Sequence, residues 1–328
     1  MARGDQICNL VRYGLERDDV RFRQAVNVLL TEERSKHHDN IADKIEYFLK
    51  KVPEEKNFIN QKMQALTSQA GENNLRAIEP KRKMDTLFLS DDVRQECQEL
   101  ILEHKRADFL RAHGVEPRNK ILMIGPPGNG KTSLAEAIAS ELEVPLFLAK
   151  YEGLVSQYLG KTAANLAKAF DFVKNEPCVL FLDEFETLGS ERSSQNETGE
   201  MRRVVGTLLT LMDMLPSHVV MIAATNHDSM LDSATWRRFQ VKFKMEKPEI
   251  QNIEAWFRSF EKTREFNFGV SNSLLAEKLD GLSYAEVEEF ALSVYRKYLL
   301  RLPVDRTKEI TMEQLNLYIR KKDSMQKM

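Results

Sequence analysis

Short apolar runs punctuate the middle of the chain: KILMI (120–124), LFLA (146–149), CVLFL (178–182), VVMIAA (219–224) and VKFK (241–244). Most are apolar at consecutive positions rather than at alternate ones. Such strands are buried on both faces, the condition of a parallel sheet covered by helices. Most of the intervening stretches carry apolar residues at helical spacing, so the pattern predicts an α/β domain. After Pro248 the strand-like runs stop. IEAWFRSF (253–260), LLAEKL (274–279), YAEVEEFALSVYRKYLL (284–300) and MEQLNLYIRK (312–321) all read as helices.

Upstream, Ile7, Leu10, Val11 and Leu15, then Phe22, Val26, Leu29 and Leu30, then Ile41, Ile45, Phe48 and Leu49 recur at helical spacing. Residues 52–83 hold PEEK, SQAGENN and EPKRK, a polar stretch broken by Pro and Gly that reads as a linker with some helix. A helix carrying Val93, Cys97, Leu100 and Ile101 opens at Ser90–Asp92, with Ser90 as its N-cap. The expected organisation is an α-helical recognition module and linker over 1–83, a large α/β domain over 84–246 and a small helical domain over 247–328.

Composition narrows the function. Lys and Arg number 48 against 50 Asp and Glu, a net charge of −2, which gives no support to a dedicated nucleic-acid binder. The apolar runs are far too short to cross a bilayer, and the N-terminal segment has acids where a signal peptide needs a long apolar stretch. Cys8, Cys97 and Cys178 are scattered and lack metal spacing, which reads as reduced thiols in a cytoplasmic protein. His37 and His38 have no companion ligands nearby and read as a solvated helix face.

The chemistry begins at GPPGNGKT. Gly125, Pro126, Pro127, Gly128, Asn129, Gly130, Lys131 and Thr132 follow the strand KILMI and open the helix that starts at Ser133. A G-x-x-x-x-G-K-T run between strand and helix is a phosphate cradle. Its glycines let backbone N–H groups converge on phosphate oxygens, and the helix N-terminus adds partial positive charge. Lys131 is placed to reach the β and γ phosphates, and the Thr132 hydroxyl to ligate Mg2+. The strand CVLFL ends in Asp183, placed to hold Mg2+ through water, and Glu184, placed to polarise a water for attack. AATN (223–226) ends the next strand on Asn226, which either orients the attacking water or senses the γ-phosphate.

GPPGNGKT, LFLDE, AATN and LDSATWRRF (231–239) in this order resemble the AAA clade of the AAA+ ATPases over about residues 84–300. The resemblance implies a P-loop fold with a five-stranded parallel sheet and a C-terminal helical lid, ATP and Mg2+ as cofactors, and a homo-oligomeric ring, usually a hexamer. It implies that Arg237 and Arg238 reach the γ-phosphate held by a neighbouring subunit, although many members have RPGRF where this chain has RRF. It places Tyr158, Leu159 and Gly160 of SQYLGKT (156–162) on a pore loop that grips a protein substrate. It brings Gly281 and Ser283 of GLSYAEVEEF (281–290) near the nucleotide, with Tyr284 and Glu286 departing from the usual small residues. The polar stretch 189–200 falls where the family carries a second pore loop.

Two functions follow. One is ATP-driven remodelling, unfolding or threading of a protein. The other is an ATP-dependent switch acting on a separately encoded effector, because RFRQAVNVLLTEERSKHHDNIADKIEYFL (21–49) resembles compact bacterial members paired with subtilase-type proteases. The chain has no H-E-x-x-H and no G-x-S-x-G, so no protease motif of its own is recognisable. A nucleic-acid motor is disfavoured by the charge balance, and no membrane partner is expected.

Overall fold

A strand apolar at every position needs cover on both sides, and the computed structural model supplies it. The structure describes residues 75–149, 159–186, 198–227, 231, 233–301 and 306–325, together with 38–51 and a few positions from 10 to 34 and at 70. For 39–40, 48–51, 159–161, 198–203 and 321–325 it describes the backbone only. The chain divides into two compact units, Met1–Leu66 and Thr67–Met328.

In the second unit the five apolar runs become β2 (Lys120–Ile124), β3 (Leu146–Ala149), β4 (Cys178–Leu182), β5 (Val219–Thr225) and β6 (Val241–Lys244). They run parallel in the order β3-β4-β5-β2-β6, with Leu182 opposite Ala223 and Ile124 opposite Thr225. Neighbouring residues of one strand serve opposite faces. Ile121, Met123, Val179, Phe181, Val220 and Ile222 belong to one core cluster. Leu122, Leu180 and Met221 alternate with them and are just as buried. This is why the runs lack alternation in the sequence.

The sheet has six strands rather than five. β1 (Leu75–Ile78) adds to the β3 edge, antiparallel, with Leu75 opposite Ala149 and Ile78 opposite Leu146. It lies in the polar stretch read as a linker. LRAI is four residues long and flanked by GENN and EPKRK, too short for a period-2 signal to emerge.

α2 (Asp91–Lys105) buries Val93, Cys97, Leu100 and Ile101, as its spacing predicts. Ser90 sits at its N-cap in extended conformation, but its side chain makes no cap bond. α4 (Lys131–Glu141) buries Leu134, Ala135, Ala137, Ile138 and Ala139 in the same cluster as β2 and β4. α3 (Ala107–Ala112), α5 (Leu159–Val173), α6 (Thr198–Asp213) and the short α7 (Ser233–Trp236) complete this part.

Past β6 the chain is helical: α8 (Ile250–Arg264), α9 (Asn272–Lys278), α10 (Tyr284–Arg301) and α11 (Thr307–Met325). These helices enclose a separate core around Phe257, Phe268 and Phe290. Phe257 meets Phe268 edge-to-face at 5.1 Å, and Phe266 meets Phe268 at 4.8 Å. Such pairs add about 0.5–1.5 kcal/mol each beyond area burial. The Ser271 hydroxyl accepts the Leu274 N–H to cap α9, and Glu261 accepts the Phe268 N–H at 3.0 Å and an Asn272 amide N–H at 2.7 Å.

In the first unit, α1 (Asp39–Lys51) occupies the stretch that Ile41, Ile45, Phe48 and Leu49 mark as helical. Ile41 is exposed, whereas Ala42 is buried. His38 Nδ1–H donates to the buried carboxylate of Glu33 at 2.8 Å, a partner that the reading of a solvated face did not anticipate. Among the described residues no helix is long and apolar enough to cross a membrane.

Candidate functional site

The carboxyl ends of β2, β4 and β5 share one edge of the sheet, and Lys131, Thr132, Asp183, Glu184 and Asn226 meet there. β2 runs into Gly125, whose N–H donates to Thr225 O at 3.1 Å. On its other side Met245 N–H donates to Ile124 O at 2.7 Å. Gly125 is clasped so tightly that a Cβ would lie 2.1 Å from the Met245 carbonyl oxygen. Gly130 caps α4 at φ +85°, a backbone state that glycine adopts freely.

Lys131, the first residue of α4, is buried. Its ammonium donates to Gly125 O at 2.5 Å, Pro126 O at 3.2 Å and Asn226 Oδ1 at 2.7 Å. Burial holds its pKa below the ordinary lysine value, against the pull of Asp183 and Glu186. The Asn226 backbone N–H and side-chain Nδ2–H both donate to Glu186 Oε1, at 3.3 and 3.2 Å.

Asp183 and Glu184 follow β4 directly. Asp183 Oδ1 accepts the Glu184 N–H at 3.0 Å. Glu184 is exposed and has φ +53°, a left-handed conformation that costs a non-glycine residue about 1–3 kcal/mol. The strain turns the chain as it leaves the strand, immediately after Asp183.

These groups border a cavity of about 420 Å3, within the range of roughly 300–1,000 Å3 usual for small-molecule sites. Its wall includes Pro127 to Ser133, Asp183, Glu184 and Asn226. The sequence reading did not assign a second set that lines it: Arg82, Thr86, Leu87, Phe88, Leu89, Met245, Trp256, Ala285 and Glu288, together with Tyr284, which it marked only as a departure. Phe88 and Tyr284 stack with centroids 6.2 Å apart and planes inclined by 28°. Burial pushes the Tyr284 phenol up to about 12. Arg82 is held from behind: Glu136 of α4 accepts the Lys81 and Arg82 N–H groups at 3.1 and 3.2 Å and pairs with the Arg82 guanidinium at 3.6 Å.

Gly281 and Ser283 do not line this cavity; the next turn of the lid does. Ser283 instead forms a capping box with Glu286. Glu286 Oε2 accepts the Ser283 N–H at 2.7 Å and its hydroxyl at 2.8 Å, and the Ser283 hydroxyl accepts the Glu286 N–H at 3.4 Å. The lid touches the glycine loop directly. Ala285 N–H donates to Gly128 O at 3.0 Å, and a Cβ on Gly128 would fall 2.9 Å from Ser283 Oγ.

The two arginines separate. The Arg238 guanidinium donates to both Asp213 oxygens through Nε and to Ala234 O through Nη1. Arg237 is exposed and makes no ion pair among the described residues. Neither lines the cavity. Tyr158 lies outside the described residues, as does most of the polar stretch 189–200; Leu159 and Gly160 begin α5.

A glycine loop between a buried parallel strand and a helix, with two acids on a nearby strand end, defines a P-loop nucleotide-binding α/β domain. Residues 121–247 match the model of the ATPase family associated with various cellular activities (AAA). The chain is 34% identical over 319 residues to y4kL of Sinorhizobium fredii, named as an uncharacterized AAA family ATPase, covering 96% of this chain and 94% of that one. It is 34% identical over 221 residues to the ATP-dependent zinc metalloprotease FtsH 2 of Phytoplasma mali, covering 64% of this chain and 32% of the relative. A putative 26S proteasome regulatory subunit homolog of Methanothermobacter marburgensis is 29% identical over 243 residues, covering 73% and 64%. The chain thus spans nearly all of y4kL but only about a third of FtsH 2. It belongs to the AAA family and is an ATPase.

Proposed function

We propose that this ATPase works as a homo-oligomeric ring, a hexamer, in which Mg2+-dependent ATP hydrolysis remodels, unfolds or threads a protein substrate. The cavity fits the nucleotide at both ends. Glycine backbone and the Lys131 ammonium face the phosphates, and Phe88, Trp256 and Tyr284 offer flat apolar surface to the base. Thr132 and Asp183, both on the cavity wall, would hold Mg2+, the second through water. When bound, the metal neutralises charge developing on the phosphates. Glu184 accepts a proton from the attacking water.

Arg237 carries the ring reading. It is exposed, makes no ion pair among the described residues and lies outside its own chain's cavity, while Arg238 beside it is tied to Asp213. An exposed guanidinium in that position suits delivery to the γ-phosphate of a neighbouring copy, a contribution of about 10³–10⁵ in rate. The protein substrate rests on the likeness to proteins named as FtsH and a proteasome regulatory subunit, with Tyr158, Leu159 and Gly160 gripping it and residues 1–83 selecting it.

The test mixes two variants. Arg237→Ala and Lys131→Ala should each be nearly inactive alone. Mixed rings should recover turnover, because an Arg237→Ala chain still offers an intact P-loop to a neighbour whose arginine is present. Failure to recover at any ratio would remove the in-trans assignment. Normal ATPase activity with no effect on any protein captured by the Glu184→Gln trap would favour a switch acting on an effector.

A further inference from the structure

Asn226 follows β5 directly and carries an amide whose two halves do opposite work, and Glu186 decides which half faces the cavity. Asn226 donates twice to Glu186 Oε1, once from the backbone and once from the side chain. The other carboxylate oxygen, Oε2, is buried and has no hydrogen-bond partner, so Glu186 directs its hydrogen bonding to Asn226. An ionised carboxylate only accepts, and an ammonium only donates. With Glu186 on one side and Lys131 on the other, the amide has one satisfactory orientation. Nδ2 turns to Glu186 and Oδ1 turns to Lys131, where the bond is 2.7 Å. A flipped amide would set oxygen against carboxylate and N–H against ammonium.

We infer that Glu186 is a positioning residue that makes Asn226 a hydrogen-bond acceptor at the reaction site. An acceptor has nothing to offer a phosphate oxygen, which also accepts. It can hold a water by one of its O–H bonds, leaving the lone pair free for attack while Glu184 takes the other proton. When Lys131 turns to phosphate, Asn226 Oδ1 loses its partner and becomes available to that water. Of the two roles open to Asn226, water orientation is the one that Glu186 enforces. This inference rests on the ATPase reading of the site.

The experiment measures ATP and ADP affinity and kcat for four proteins: wild type, Glu186→Gln, Asn226→Ala and the double variant. A glutamine offers both a donor and an acceptor, so it no longer dictates the amide's orientation. Glu186→Gln should lower kcat about 10- to 100-fold, the scale of a misplaced reactant, with ATP affinity within about threefold of wild type. The double variant should be no slower than Asn226→Ala, because the proposed role of Glu186 in turnover runs through Asn226. Unchanged kcat in Glu186→Gln, or multiplicative losses in the double variant, would overturn the inference. Should Glu186→Gln fail to fold, Asn226→Ala alone decides. An acceptor role predicts lost kcat with an unchanged ratio of ATP to ADP affinity. A selective loss of ATP affinity would assign Asn226 to the phosphate and refute the proposal. A wild-type protein that does not hydrolyse ATP would instead defeat the underlying ATPase reading.

Discussion

The two ends of the cavity are built from different materials. At the phosphate end the wall is main chain. Gly125 is wedged between the ends of β5 and β6, Gly130 stands at positive φ, and Lys131 is held by two backbone carbonyls. At the other end the wall is side chain: Phe88 from the segment before α2, Trp256 from α8 and Tyr284 from α10. Backbone walls are set by strands that the whole sheet holds in place, and at Gly125 they leave no room for an added atom. Side-chain walls come from separate elements and shift with them. The first end is suited to chemistry that demands fixed geometry, the second to grip that changes with the position of the lid.

The sharpest way to break this comparison is at Gly125. Gly125→Ala puts a Cβ 2.1 Å from a backbone oxygen, so a strand end must move. We expect ATP binding to vanish and stability to fall by about 3 kcal/mol or more, read as a drop in Tm of roughly 5–10 °C. Retained ATP binding would show that the loop yields more than its packing implies.

Gly128→Ala tests the seam between the two ends. Its neighbours are the Ser283 hydroxyl and the Ala285 methyl rather than the sheet. The expected result is a folded protein that binds ATP about tenfold more weakly, since φ +79° strains alanine by about 1–2 kcal/mol and the lid is pushed aside. Titration by calorimetry measures it. A loss as complete as that of Gly125→Ala would erase the distinction.

Tyr284→Ala addresses the side-chain end. Removing one aromatic platform should raise KM for ATP about five- to twentyfold, within the 1–3 kcal/mol typical of a stacked base, and leave kcat within twofold. An equal fall in kcat would mean that the ring also aligns the phosphates.

The smallest effect lies behind the sheet. Burial pushes the Cys97 and Cys178 thiols up to about 12, so neither should be alkylated in the native state at pH 8, and both should react after unfolding. A raised folded pKa places their contribution to stability fully below the unfolded value near 9 and erodes it as pH climbs toward 12. Rapid native labelling mapped to either residue would show that the core opens.

The phosphate end was legible in the amino-acid sequence because glycine leaves a visible mark wherever the main chain is crowded, and Lys131 and Thr132 follow at fixed offsets. Asp183, Glu184 and Asn226 were legible because each closes an apolar strand. The rest depends on meetings across the chain. Glu186 finds its hydrogen-bond partner Asn226 40 positions away, and nothing in DEFE announces that partner. Phe88 and Trp256 look like ordinary apolar residues until the fold stacks Phe88 on Tyr284 and sets Trp256 on the same cavity wall. Ser283 and Glu286 did carry a readable signature, S-x-x-E before an apolar stretch, which marks a helix start and explains why Ser283 serves α10 rather than the cavity. β1 escaped because four residues at a sheet edge carry too little periodicity to stand out from EPKRK and GENN.

The single hydrogen bond from Ala285 to the Gly128 carbonyl joins the tip of a long rod to the rim of the cup that holds the phosphates. α10 is 18 residues long, so a rotation of a few degrees about that joint sweeps the far end of the helix through about 1–2 Å. A shift of the rim on loss of a phosphate would thereby be geared up into travel, and a push on the distant tip would be geared down into leverage on the cup.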